Sequence, residues 1–326
     1  MTENVFLFPG QLSEGVGMGV RLLERSPSAR ETIEEASEAA GMDLRRLMVH
    51  GPEEDLRSDE NAPIAVLSLS VAWHRALLAA GREPGFLLGV SMGLYSAAVA
   101  AGAARLGEGI ALLREVDRAG RELFRGRRHG MALVVGLRPD SVMASLADLM
   151  RSGRIEISNV NSAAQVVLAG VSEALDEAVG RLAGRALRSE RLPMSRPYHT
   201  AFMEPVARKV ALLCESLPVR DPLWPIVYHH DGRLVRRGEE LRRLLSRQLC
   251  ERCDFPRAIL SLPRRPDRLF IEVGPGAVLA RLLRWINRDA EAVAVEDPAA
   301  RERVESLLGM KRVEQKADSR IAGQSS

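Results

Sequence analysis

The chain has 326 residues, 46% hydrophobic and 27% charged, usage that supports a folded core and excludes both a peptide-sized module and global disorder. Forty-six Lys and Arg against 43 Asp and Glu leave a formal net charge of +3, interspersed along the chain, and aromatic residues amount to only 4%, so neither a basic nucleic-acid footprint nor a set of base-stacking platforms stands out. Three cysteines exclude a disulfide framework, and the start MTENVFLFPGQ lacks the basic segment and apolar run of a secretory signal. The longest apolar stretch, 62–80, is interrupted by His74 and Arg75. These features predict a cytoplasmic protein with no nucleic-acid partner and no membrane span.

In chain order, residues 5–8 form a short apolar run ending at Pro9-Gly10, which reads as a buried strand feeding a loop. Segments 22–40 and 62–80 have helical spacing and composition. A second apolar run, 86–90, meets Ser91-Met92-Gly93 and then an Ala-rich helix, giving strand, sharp turn, helix. Residues 131–194 then alternate as β-α-β-β-α-β, the order of a ferredoxin-like unit. After Ser195 the pattern returns to helix (201–217), strand (225–228), helix (239–250) and a last strand (269–273) running into Gly274-Pro275-Gly276. The expected fold is therefore α/β: an α/β-hydrolase-like large subdomain from 1–129 and 195–310, an inserted ferredoxin-like small subdomain at 130–194, and a disordered polar tail at 311–326.

The sharpest chemical signal is Gly89-Val90-Ser91-Met92-Gly93, a G-x-S-x-G between strand and helix. In a nucleophile elbow the glycines permit a strained turn and close strand-helix approach, the serine hydroxyl projects outward, and the Met92 N–H at the helix start faces a developing oxyanion. A serine nucleophile needs a base. Of the six histidines, His74 and His50 read as solvated helix residues, and His229-His230 read as a solvent-facing turn before Asp231-Gly232. His199, in Arg196-Pro197-Tyr198-His199-Thr200, sits where a strand gives way to a helix, a rim position from which a base reaches an elbow serine.

Five blocks in order, FPGQ at 8–11, GVSMGLYSAAVAAG at 89–102, NVNSAAQVVLAG at 159–170, PYHTAFM at 197–203 and EVGPGAVLARLL at 272–283, resemble the malonyl-CoA:acyl-carrier-protein transacylase family over about residues 4–310. The resemblance implies a ping-pong acyl transfer, in which Ser91 attacks an acyl-CoA thioester, holds the acyl group as an ester and passes it to the phosphopantetheine thiol of an acyl carrier protein, with no cofactor. It implies His199 as base, oriented by the main-chain carbonyl at Gln248 in place of an acidic third member, and Gln11 and Met92 as oxyanion donors. It also places Val90, Asn161, Val116 and Arg196 on the substrate side of the site.

The departures from the family pattern bear on the acyl group. Where malonyl-handling members carry an arginine after the elbow, a gapless count lands on Val116; Arg114 and Arg118 are each two residues away, a turn of about 200° on a helix. Val90 replaces the histidine beside the nucleophile, Leu94 the following acid, and Asn61-Ala62-Pro63 a pocket-lining Thr-Gln-Pro segment. Apolar replacements predict an acyl group without a free carboxylate, with Arg196 as the alternative cation if malonyl is the substrate. An editing hydrolase, resolving the Ser91 ester with water, is the second functional reading. Cys250 and Cys253 lack the second pair a zinc site needs, and the basic clusters at 125–128, 242–243 and 264–265 read as solvated faces, one of which would suit an acidic carrier.

Overall fold

The structure is a computed structural model that describes residues 3–309; the tail expected to be disordered, 311–326, lies outside the described residues. Strand β1 (Glu3–Phe8) precedes helices α1 (Val20–Arg25), α2 (Pro27–Ala40), α3 (Leu44–His50), α4 (Glu53–Leu56) and α5 (Asn61–Ala79). Strand β2 (Pro84–Gly89) leads into α6 (Gly93–Ala100) and α7 (Leu106–Phe124). There follow β3 (His129–Val135), α8 (Pro139–Ser145), α9 (Ala147–Arg151), β4 (Ile155–Ser162), β5 (Gln165–Val171), α10 (Ser172–Leu182) and β6 (Arg188–Arg191). The chain returns through α11 (Glu204–Ser216), β7 (Ile226–Val227), β8 (Leu234–Val235), α12 (Gly238–Arg247), β9 (Cys253–Asp254), α13 (Phe255–Leu260) and β10 (Arg268–Glu272). It ends in α14 (Val278–Leu283), β11 (Glu291–Ala294) and α15 (Arg301–Leu307).

The result is an α/β fold with two sheets. The larger has the order β11-β10-β1-β2-β7-β8, parallel throughout except for the β7–β8 hairpin. β1 lies at its centre, and the reason is in its residues. Phe6 and Phe8 enter the main core with α2, α5, α6 and α7, while Val5 and Leu7 enter a second core with Phe255, Phe270 and Leu283. A strand buried on both faces reads as an unbroken apolar run. The smaller sheet has the order β6-β3-β5-β4-β9, antiparallel among its first four strands, and packs α8, α9 and α10 on a third core around Leu168 and Leu175.

Several elements depart from expectation. The segment read as one helix over 22–40 is two, because the Ser26 hydroxyl caps α2 by accepting from the Ala29 N–H at 3.2 Å and Pro27 occupies its first turn. β9, from outside the inserted unit, pairs Asn159 with Cys253 and stitches the smaller sheet to the main body. β10 is not the last strand, since β11 adds a parallel edge beyond it. Helix α5 is long and apolar enough to cross a membrane by length and composition, but 83% of it is buried within the protein, as in a core helix. His74 on that helix is buried, not solvated, and packs between Phe6 and Trp224.

Candidate active site

The C-terminal ends of the adjacent parallel strands β1, β2 and β10 open on one side of the sheet, where open α/β sheets place their sites. β2 ends at Gly89 and turns through Ser91, whose φ is +57°, into α6. Both flanking glycines are sterically required: a Cβ on Gly89 would lie 2.1 Å from the Gly93 carbonyl oxygen, and one on Gly93 would lie 2.1 Å from that of Phe8. The elbow is thus pressed against the end of β1. From there the loop over Pro9-Gly10-Gln11 passes close by, with Gly10 so near that its Cβ would sit 3.3 Å from that of Ser91. The backbone N–H groups of Gln11 and Met92 have no acceptor among the described residues. Gly276 (φ +75°) lets its turn approach the Ser13 carbonyl and buttress this loop from the other side.

His199 also has a positive φ, +62°, and its N–H donates to the Leu249 carbonyl at 2.8 Å. That conformation brings its Nε2 to 2.7 Å from Ser91 Oγ across 108 residues of sequence. Its Nδ1 lies 2.8 Å from the Gln248 carbonyl and 3.2 Å from that of Glu251. Carbonyls only accept, so the proton sits on Nδ1 and the Nε2 lone pair faces the serine hydroxyl. Burial pushes the imidazole down to about 4, which keeps it a neutral base at ordinary pH.

The dyad opens into a cavity of about 200 Å³ between the two sheets, lined by Leu12, Val90, Met131, Leu133, Val167, Met194, Phe255 and Leu282 with Asn159, Asn161, Gln165 and Tyr198 as polar members. Among the described residues no charged side chain lines it. The structure brings Ser91, His199, Gln11, Val90 and Asn161 to this cavity and supplies Gln248 through its carbonyl. The side chain of Met92 turns into the main core, leaving its N–H beside Ser91.

Other expected residues fall elsewhere. Val116 and Leu94 are buried in the main core, and none of Asn61, Ala62 and Pro63 lines the cavity, because they begin α5. Arg114 donates to the Ala40 carbonyl and Arg118 pairs with Glu115. Arg196 is no free cation: its guanidinium is buried on Asp117 at 2.7 Å and donates to Tyr198 Oη at 3.1 Å. Cys250 and Cys253 are raised to about 12 by burial, and no group of three or more potential metal ligands occurs among the described residues. Sequence reasoning also missed His229. It is fully buried rather than solvent-facing, with Nδ1 3.0 Å from the Gly89 carbonyl and its ring against that of His199. The one local signal for this was the apolar strand immediately before it.

The sequence profile of the acyl transferase domain matches residues 5–319. The chain is 30% identical over 301 residues to the malonyl CoA-acyl carrier protein transacylase of Bacillus subtilis, covering 91% of this chain and 95% of that protein. It is 32% identical over 302 residues to the enzyme of that name from Escherichia coli, covering 92% and 98%. Among solved structures it is similar to a malonyl-transacylase in complex with a type II PKS acyl-carrier protein, with a TM-score of 0.88 at 31% identity over 94% of this chain and 99% of that one. It is likewise similar to the acyl-carrier-protein S-malonyltransferase of Burkholderia pseudomallei, with a TM-score of 0.87 at 31% identity over 94% and 100%.

Proposed function

The chain belongs to the acyl transferase domain family, and from that premise we propose that Ser91 and His199 carry an acyl group from a CoA thioester to the phosphopantetheine thiol of an acyl carrier protein. The observation that carries the assignment is the 2.7 Å contact of Ser91 Oγ with an Nε2 whose tautomer is fixed by the Gln248 carbonyl. The protein is an acyltransferase of fatty-acid or polyketide assembly. The hydrolytic alternative has no support among the relatives compared above, which are transacylases and malonyltransferases by name.

In the first half-reaction Ser91 Oγ attacks the thioester carbon as its proton moves to His199 Nε2. The charge developing on the carbonyl oxygen falls to the free N–H groups of Gln11 and Met92. Collapse expels the CoA sulfur, which takes the proton from the imidazolium, and leaves an ester on Ser91. In the second half the carrier thiol gives its proton to His199, its sulfur attacks the ester carbon, and the Ser91 oxygen leaves with the proton returned. Every group used is a protein side chain or amide, so the chemistry calls for no cofactor.

The acyl group carried is one without a free carboxylate. An uncharged cavity lining and an Arg196 already paired support this, since burying a carboxylate without its cation is costly. The chain order β3-α8/α9-β4-β5-α10-β6 with sheet order β6-β3-β5-β4 supports reading 130–194 as a ferredoxin-like small subdomain. It is set into an α/β-hydrolase-like large subdomain of 1–129 and 195–310, whose support is the parallel sheet with its strand-elbow-helix.

Intact-protein mass spectrometry after incubation with a panel of acyl-CoAs tests this reading. A Ser91 adduct that passes to phosphopantetheinylated carrier faster than free acid appears is the expected result. Rapid release of free acid with little acyl-carrier, across several carriers, selects hydrolysis instead.

A further inference from the structure

Beside the dyad lies a second buried imidazole for which the mechanism above has no use. His229 is 0% exposed, and its Nδ1 sits 3.0 Å from the carbonyl of Gly89, the first glycine of the elbow, 140 residues away. Its ring packs nearly perpendicular to that of His199, at 86° and 5.6 Å between centroids. The main-chain carbonyl of the same residue accepts from the Asp254 N–H at 2.8 Å, tying it to β9. We propose that His229 is a positioning residue for acyl transfer: by holding the Gly89 carbonyl and flanking the ring of His199 it keeps the serine and its base in register.

The proposal rests on the acyl-transfer reading of the same site and extends it to a residue outside the dyad. A carbonyl accepts only, so His229 carries its proton on Nδ1, and its buried Nε2, without a hydrogen-bond partner among the described residues, is a bare lone pair. Burial holds this imidazole near 3, so it stays neutral while His199 cycles through its imidazolium form. The surrounding titratable groups are His199, then His230, Asp231 and Tyr228 on its own hairpin, and Glu251, Cys253 and Asp254 on the segment running into β9. A neutral ring with an unpaired lone pair is a better neighbour for a transient imidazolium than hydrocarbon of the same volume. Fixing the elbow matters equally, because a displacement of about 1 Å at a reacting pair slows reaction by up to roughly 10²-fold.

The test reads the dyad directly, through the rate at which a fluorophosphonate labels Ser91. That reaction needs no acyl-CoA or carrier, so its outcome is separable from failure of the acyl-transfer reading, which shows as a carrier that is never acylated. His229→Leu is expected to slow labelling about 10–100-fold and to move the acid limb of the rate to lower pH, with KM for acyl-CoA unchanged. His229→Gln, whose amide can donate to Gly89, is expected to recover most of the rate. A folded His229→Leu protein with the unmodified rate and pH profile overturns the proposal, as does one whose melting temperature falls while its pH profile stays put. Where the leucine variant does not fold, imidazole nitrogen NMR of the unmodified protein decides: His229 is expected as the neutral Nδ1–H tautomer from pH 8 to about 5, and an Nε2–H tautomer or protonation in that range overturns it.

Discussion

Arg196 and Asp117 form an ion pair of 2.7 Å with side chains only 4% and 6% exposed, joining the loop before the base to α7, the second helix after the elbow. Gly120 makes room for it, since a Cβ there would lie 2.8 Å from Arg196 Cδ. Removing one partner of a buried pair strands the other charge. Asp117→Ala is therefore expected to cost about 3–5 kcal/mol of unfolding free energy, read from urea midpoints; a loss below about 1 kcal/mol, the size of an exposed pair, contradicts the structural account.

With that guanidinium committed, no cation among the described residues lines the cavity. Short or medium acyl-CoAs lacking a free carboxylate are expected to load Ser91 faster than malonyl-CoA in single-turnover mass spectrometry. Val116 faces the main core, so Val116→Arg is expected to destabilise the fold without raising malonyl loading. Faster loading by malonyl-CoA in the unmodified protein refutes the specificity argument and points to rearrangement of Arg196.

Ser91 bears a side chain at φ +57°, a conformation that costs a non-glycine residue about 1 kcal/mol or more. Ser91→Ala and Ser91→Gly both remove the acyl adduct, but only glycine relieves the strain. The glycine variant is expected to melt higher than the alanine variant. Persistence of the adduct in either protein rejects Ser91 as nucleophile, and His199→Ala is expected to slow acylation about 10²–10⁴-fold.

The elbow glycines test the packing argument separately from chemistry. Gly89→Ala places a Cβ 2.1 Å from a backbone oxygen that no side-chain rotation can move. The expected cost is about 3 kcal/mol or more, together with loss of Ser91 labelling. Gly180, on the exposed face of α10 with open space around its Cβ position, serves as control; Gly180→Ala is expected to be neutral or stabilising.

Burial lowers His74 and His199 to about 4 from an ordinary 6.5. For catalysis this means that acylation holds its rate as pH falls past 6 and declines only toward about 4, where His199 protonates. For stability the sign follows from proton binding: between about 4 and 6.5 the unfolded chain binds protons that the folded chain excludes, so each such histidine contributes stability above 6.5 that is lost as pH falls. His74→Leu removes one of these groups. Its stability relative to the unmodified protein is expected to rise as pH drops from 7 to 5; a pH-independent difference in urea titrations dismisses the burial argument.

The α/β alternation and the elbow were legible in the sequence because each depends on local chemistry. Gly89 is dictated by contacts with Gly93 and Leu94 inside the turn, and the unbroken apolar run of β1 follows from its burial on both faces. The block from Pro197 to Met203 marked the base by its position at the start of a helix. What tertiary structure alone decided are relationships between groups far apart in the chain. Nothing near Arg196 in sequence announces that Asp117 neutralises it, and a count along α7 does not reveal that Val116 faces the core instead of the cavity. A His-His-Asp-Gly run has the composition of a turn, and only the packing of β7 beside β2 encloses its first histidine beneath the elbow. Two-residue β9 carries too little pattern to be seen as a strand until β4 supplies its hydrogen bonds. Local steric and periodic constraints are written residue by residue, whereas the burial of a charge or an imidazole depends on which distant surface comes to cover it.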